Sequence, residues 1–236
     1  MTEQKTIHLA DYQPYSHIVD SVDLTFRLAP GATRVSARLA LRPNPDRPGR
    51  NDLRLDGEGL MHLSCTVDGR PVTPQIDAHS LTIAATDLPD GPFTLETEVQ
   101  NAPDANTALE GLYMSKGMYC TQCEAEGFRK ITWYPDRPDV MSRFKVRIEA
   151  DLPILLSNGN PTAQGKGWAE WDDPWPKPAY LFALVAGDLR AHSADFTTAS
   201  GRRVALNIWV RPGDEDRCAY AMDSLIRSMR WDEQVY

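Results

Sequence analysis

The stretch SVDLTFRLAPGATRVSARLALR, Ser21 to Arg42, carries the reading of the fold. Val22, Leu24, Phe26 and Leu28 alternate with Asp23, Thr25 and Arg27. After Pro30-Gly31, Val35, Ala37, Leu39 and Leu41 alternate in the same way. Side chains of a strand point to opposite faces with period two, so each half is a strand with one buried face. A Pro-Gly pair between two such runs supplies the turn.

The same pattern continues outward. Leu63, Cys65 and Val67, then Leu81 and Ile83, then Phe93, Leu95 and Val99 repeat it, with turns at Asp68-Gly69 and Asp90-Gly91. Many short strands joined by tight turns predict an antiparallel β-sandwich or a strongly curved β-sheet, so the chain is mainly β. Residues 101–110 are polar and read as a loop, and a denser segment follows from Gly111 to Pro138. Phe144, Val146 and Ile148 predict a further strand, and Asn158-Gly159 a turn. The Trp/Pro-rich WAEWDDPWPKP reads as a loop. Its Trp168, Trp171 and Trp175 are expected to pack onto the domain, with a sugar-stacking platform as the other reading. Tyr180 to Val185 is continuously apolar, as in a strand buried on both faces. Ser200-Gly201 is another turn, after which Val204, Leu206, Ile208 and Val210 alternate again.

The period then changes. Cys218, Met222, Leu225, Ile226 and Met229 fall at helical spacing, with Asp214 and Asp216 ahead of them as caps or dipole partners. No Gly or Pro ends this pattern before Tyr236. The expectation is therefore a cut chain, with the partner for the helix stripe lying beyond residue 236.

Composition narrows the function classes. The 236 residues carry a formal net charge of -8, which argues against a phosphate-binding surface and hence against nucleic acid. The longest apolar run, Tyr180 to Gly187, is far short of the ~20 residues that span a bilayer. The N-terminal MTEQKTIHLADYQP has no apolar signal core, so a cytoplasmic location is expected.

The search for chemistry within the chain comes up short. None of His8, His17, His62, His79 and His192 is followed by Glu, no two of them lie three or four residues apart, and His62 with Cys65 is the one His–Cys pair at such spacing. H-E-x-x-H is missing, and a single His–Cys pair falls short of the ligand set that a local metal site needs. There is no G-x-S-x-G elbow. Cys120 and Cys123 form one C-x-x-C without the second half that a structural zinc site needs, and they read as small residues in a packed strand. Arg129 and Arg137 are candidates to pair with Asp136 or Asp139 and hold their loop.

One segment stands apart: MYCTQCEAEGFRKIT from Met118, followed by DRPDV from Asp136. Together with LLSNGNPTAQG (Leu155 to Gly165), DPWPKPAYLFALVAGDL (Asp173 to Leu189) and the helix MDSLIRSMRWDE (Met222 to Glu233), it resembles the aminopeptidase N family of zinc metallo-aminopeptidases, in its bacterial form. The four motifs occur in order over essentially the whole chain. The resemblance implies a β-sheet N-terminal domain over residues 1–194. Residues 195–236 would then be the start of a thermolysin-like catalytic domain, a short β segment and one helix. The family's H-E-x-x-H, further Glu ligand and G-A-M-E-N strand are not in this chain. The resemblance thus implies zinc in the full-length enzyme, none in this chain, and no activity from this chain alone. The implied partners are the N-terminus of a peptide substrate and the remainder of the catalytic domain, with neither nucleic acid nor membrane.

In that family the Gln and Glu of the Q-C-E triplet face the active site, and here they are Gln122 and Glu124. In an extended strand residues two apart point to one side, so both could meet the α-ammonium of a peptide. Spacing alone reads Glu124 and Glu126 equally well as solvated carboxylates; the resemblance favours Glu124 and not Glu126. The other function class is a non-catalytic β-sandwich module binding peptide or sugar, or serving as a scaffold.

Overall fold

The structure, a computed structural model, describes residues 8–236. The N-terminal stretch MTEQKTIHLADYQP therefore lies partly outside the described residues. In chain order the strands are β1 (His17–Arg27), β2 (Thr33–Pro43), β3 (Leu53–Asp56), β4 (Met61–Val67), β5 (Arg70–Pro71) and β6 (Gln75–Ile76). Then come β7 (Ser80–Ile83), β8 (Phe93–Asn101), β9 (Gly111–Ser115), β10 (Met118–Gln122), β11 (Ser142–Glu149) and β12 (Ile154–Ser157). The series ends with β13 (Asn160–Gly165), β14 (Trp168–Lys177), β15 (Leu184–Gly187), β16 (Arg190–Thr197), β17 (Arg203–Val210) and the helix α1 (Ala219–Val235).

The period-two runs become the centre of an eight-stranded sheet, ordered β13-β14-β11-β1-β2-β8-β4-β5. Register aligns the apolar positions across it: Phe144 lies beside Val22, Val22 beside Leu39, Leu39 beside Leu95 and Leu95 beside Val67. All five are buried. The opposite face carries ion pairs such as Arg27 with Glu98 and Glu149, and Arg38 with Asp23 and Glu96. One pairing departs from the antiparallel expectation, since β1 and β11 run parallel.

Two smaller sheets belong to the same compact unit: β3-β7-β6, which buries Leu53, Leu55, Leu81 and Ile83, and β12-β15-β10-β9. An aromatic cluster joins the large sheet to the loop after β10. Phe128 meets Tyr134, Phe182 and Phe144 edge-on at 5.1, 5.3 and 6.0 Å, and Phe26 stacks on Phe182 at 5.8 Å.

Two sequence readings need correction in this unit. The Trp/Pro-rich segment is a strand, β14, rather than a loop. It pairs with β11 on one side and β13 on the other, and Pro174 and Pro176 fall where the β11 ladder is interrupted, so no backbone donor is missed. The run from Tyr180 is not one strand buried on both faces. A 3-10 turn, Ala179–Leu181, opens it with Leu181 exposed, and β15 starts only at Leu184.

The second compact unit comprises Gly187–Tyr236 with Leu152–Ile154. The expected boundary at 194/195 falls inside β16, whose eight residues pair throughout with β17. Here Phe196, Leu206 and Met222 form a small core, against which Val204, Ile208, Ile226 and Met229 pack. The helix stripe thus has a partner within the chain, the β16–β17 hairpin, and Leu225 is its exposed margin. This corrects the expectation that the stripe awaits residues beyond 236. Asp214 and Asp216 do not cap α1 either. They belong to a preceding 3-10 turn, Glu215–Arg217 with Asp214 ahead of it, where Asp214 pairs with Arg217; Cys218 is the residue before the helix and makes no side-chain cap.

Candidate functional site

The segment after β10 is held in place from the residues upward. β9 and β10 form a hairpin closed by Lys116 and Gly117, both at positive φ, as a tight two-residue turn requires. On its other side β10 meets β15, where Thr121 Oγ1 accepts from Leu184 N at 2.8 Å. The ladder ends at Gln122, paired with Gly111. The chain then folds into a turn, because Gly127 N donates back to Cys123 O at 2.8 Å.

Glu124 therefore stands in the turn and not in the strand, and the same-side argument from strand spacing does not apply to it. Gln122 and Glu124 are brought together differently: Gln122 Nε2 donates to the backbone oxygen of Glu124 at 3.1 Å. Both side chains are exposed. A Cβ on Gly127 would lie 2.3 Å from Gln122 O, so only glycine lets the turn approach the strand end. Beneath it Cys123 is buried, and burial, then the nearby Asp136 charge, pushes its thiol up to about 12. It is a packed, protonated thiol rather than a nucleophile.

Arg129 ties the turn to the domain. Its backbone N and its Nε both donate to Asp136 Oδ2, at 3.1 and 3.2 Å, and its Nη2 donates to Asp136 O at 3.1 Å. Nη2 also reaches Glu126 Oε1 at 3.2 Å. Asp136 is buried, and burial pushes its carboxyl up, against the hydrogen bonds from Arg129 that favour the charged form. Asp136 N donates to Asp56 Oδ2, and Asp56 and Tyr134 exchange backbone hydrogen bonds at 2.8 and 3.1 Å. Lys130 joins Glu110 and Glu58. Arg137 pairs with Asp139 and lies near the rings of Tyr12 and Tyr15. The expected Arg129 and Arg137 pairings are both present. The Lys130 pairings were not read, since their partners are distant in sequence and nothing local marks them.

One consequence concerns charge. Of the acids between Glu110 and Asp139, Glu110, Glu126, Asp136 and Asp139 each have a Lys or Arg partner. Among the described residues the Glu124 carboxylate has none. A polar cleft of about 630 Å³, lined by Tyr15, Arg47, Arg54, Asp56, Glu126 and Arg129 among others, lies on the Arg129 side of the turn; neither Gln122 nor Glu124 lines it.

The remaining candidates resolve as follows. Trp168 lies under the Arg147 guanidinium at 4.4 Å, and Trp171 Nε1 donates to Leu155 O at 3.1 Å, so both pack on the domain. Trp175 does not, being 77 % exposed between the two prolines of the interrupted ladder. Cys120 lies half-buried in β10. Among the described residues no three His, Cys, Asp or Glu side chains converge where a metal ion would sit. The residues present do not fit the zinc that the resemblance implies, and none of them is assigned to it. No helix among the described residues is long and apolar enough to cross a membrane.

The fold and this segment define a class. The Peptidase M1 N-terminal domain description matches residues 61–181, more than half of the chain, and the chain belongs to that family. Among its relatives, aminopeptidase N of Caulobacter vibrioides is 53 % identical over 98 % of this chain and 28 % of its own length. Aminopeptidase A of Legionella pneumophila, solved in complex with aspartic acid, superposes with a TM-score of 0.87 at 34 % identity, covering 97 % of this chain and 28 % of that one. An M1 zinc metallopeptidase from Deinococcus radiodurans shares the fold, with a TM-score of 0.69 at 18 % identity over 84 % of this chain and 48 % of its own. The chain spans about 28 % of the length of the bacterial aminopeptidases N that it matches.

Proposed function

We propose that this chain is the N-terminal part of a zinc-dependent aminopeptidase that releases N-terminal amino acids from peptides, and that its Gln122–Glu124 turn is the wall of the pocket that receives the substrate N-terminus. The observation that carries this is Glu124. It is the acid of the segment that no Lys or Arg neutralises, it is exposed, and it sits on a turn held from both sides. A free carboxylate in a fixed position accepts a charge-assisted hydrogen bond from an α-ammonium. Gln122 keeps its Oε1 for the same group while its Nε2 holds the turn. Requiring a free ammonium confines cleavage to the chain end. The family likeness to aminopeptidases supports the same reading.

The zinc and the residues that use it then belong to the rest of the enzyme. This chain alone is expected to be inactive and to bind peptide negligibly. Hydrogen bonds to a charged group contribute about 1.5–3 kcal/mol each. Association itself costs an estimated ~4–15 kcal/mol. One or two such bonds at an open surface do not offset that. A cytoplasmic location is part of the proposal.

The test is Glu124→Ala in the full-length enzyme. Loss of one such bond lowers kcat/KM by roughly 10- to 150-fold, on the order of 1.5–3 kcal/mol. The loss should fall mainly on KM, because the ammonium is held equally before and during reaction. An unchanged kcat/KM for amino-acid arylamides would refute the role.

A further inference from the structure

We infer that Arg129 is a positioning residue for substrate recognition: its guanidinium spans Glu126 and Asp136 and thereby fixes where the Glu124 carboxylate stands. The inference rests on the reading of Glu124 proposed above and adds the group that makes that reading work.

The argument is one of anchors. The Glu124 side chain makes no hydrogen bond or ion pair among the described residues, so its position follows from its neighbours. On one side Cys123 is buried and Gln122 ends the β10 ladder. On the other side Glu126 is exposed, and Arg129 Nη2 is the group that holds it. An exposed ion pair by itself fixes little. This one differs because its cation is itself immobilised: Nε and Nη2 both donate to buried Asp136, and the backbone N of Arg129 donates to the same residue. Asp136 in turn is tied through Asp56 to β3. The path from the sheet to the turn therefore runs Asp56, Asp136, Arg129, Glu126. A planar guanidinium with five donors serves two carboxylates at fixed angles, whereas a lysine ammonium on a flexible stem does not. Recognition groups must be held within about 0.5 Å of their productive position, and a misplacement of ~1 Å can cost about a hundredfold.

A loss of fold must be separated from a loss of position. Arg129→Ala alone leaves a buried, unpaired Asp136 and threatens folding. Combining it with Asp136→Asn removes that charge. Arg129→Lys keeps a positive charge near Asp136 and drops the bridge to Glu126. Each is made in the full-length enzyme, alone and with Glu124→Ala, and KM and kcat for an amino-acid arylamide are measured beside the thermal midpoint. Arg129→Ala/Asp136→Asn should melt within a few degrees of wild type, with KM raised about tenfold and kcat changed less than about twofold. Arg129→Lys should raise KM several-fold. Added to Glu124→Ala, neither should cost more than about a further twofold, because the position of an absent carboxylate no longer matters.

A wild-type KM in folded Arg129→Lys, while Glu124→Ala is impaired, overturns the inference and leaves the Glu124 reading standing. Losses that multiply on the Glu124→Ala background also overturn it, since they describe a general structural role. If Glu124→Ala itself has no effect, the underlying reading fails first.

Discussion

Phe128→Ala offers the sharpest test of how the recognition turn is supported. Phe128 is fully buried one residue after Gly127, and its ring meets three others edge-on within 6.0 Å. Truncating a buried Phe costs about 3–5 kcal/mol, the lost transfer free energy plus the cavity left behind. The surroundings here are the rings of Tyr134, Phe144 and Phe182, rigid and themselves buried, so little collapse is available and about 4 kcal/mol is expected. For a unit of this size each kcal/mol lowers the midpoint by about 2–4 °C, giving a fall of roughly 8–16 °C. Phe128→Leu keeps most of the buried area and loses the ring pairs, at about 0.5–1.5 kcal/mol per pair when measured singly. Coupled pairs do not add, so about 2 kcal/mol is expected. Urea unfolding followed by circular dichroism measures both, and the slope against urea should not change. A loss below about 1.5 kcal/mol for Phe128→Ala would refute the claim that this cluster ties the turn to the sheet.

Two further outcomes follow from buried groups. Burial holds His17 and His62 below the ordinary 6.5 of histidine. Trp133 Nε1 donates to His62 Nδ1 at 3.2 Å, so His62 is neutral at that nitrogen in the folded state. The unfolded chain then binds more protons, and stability, full above about pH 6.5, falls as pH drops below it toward the folded values. Urea midpoints at pH 7.5 and 5.5 should show the fall, and His17→Gln/His62→Gln should flatten it; an equal fall in that variant would count against the assignment. Separately, a Cβ on Gly57 would lie 2.1 Å from the buried Trp133 ring. Gly57→Ala should therefore cost about 2–3 kcal/mol by overpacking, and a wild-type melting temperature would contradict it.

The sequence was most legible where one face of a strand is apolar. Val22, Leu24 and Phe26 in β1 and Val35 to Leu41 in β2 lie in the register that their alternation implies. It was least legible where burial is weak. Every residue of β13 is exposed, and β14 carries Asp, Pro and Trp on faces that period-two reasoning does not sort. The helix stripe was read, but its partner was not. The alternation of Val204, Leu206 and Ile208 marks a strand but names no partner for it, and pairing is a long-range property that neither segment declares. At the site Gln122 and Glu124 were found through likeness rather than geometry. Strand spacing placed Glu124 on the wrong element because the stop after Gln122 depends on the close approach of Gly127.

The parallel pairing of β1 with β11 has a consequence for how the protein is made. β1 completes one edge early by pairing with β2, its next neighbour in the chain. Its other edge waits for β11, about 115 residues later. At about 5–20 residues per second of synthesis, that interval lasts roughly 6–23 s. Throughout it, the apolar row Val22, Leu24 and Phe26 and the open backbone of β1 have no native cover on that side. The nascent chain thus passes through a defined window in which a foreign strand competes for the central edge of its largest sheet, and that window closes only when Ser142–Glu149 has emerged.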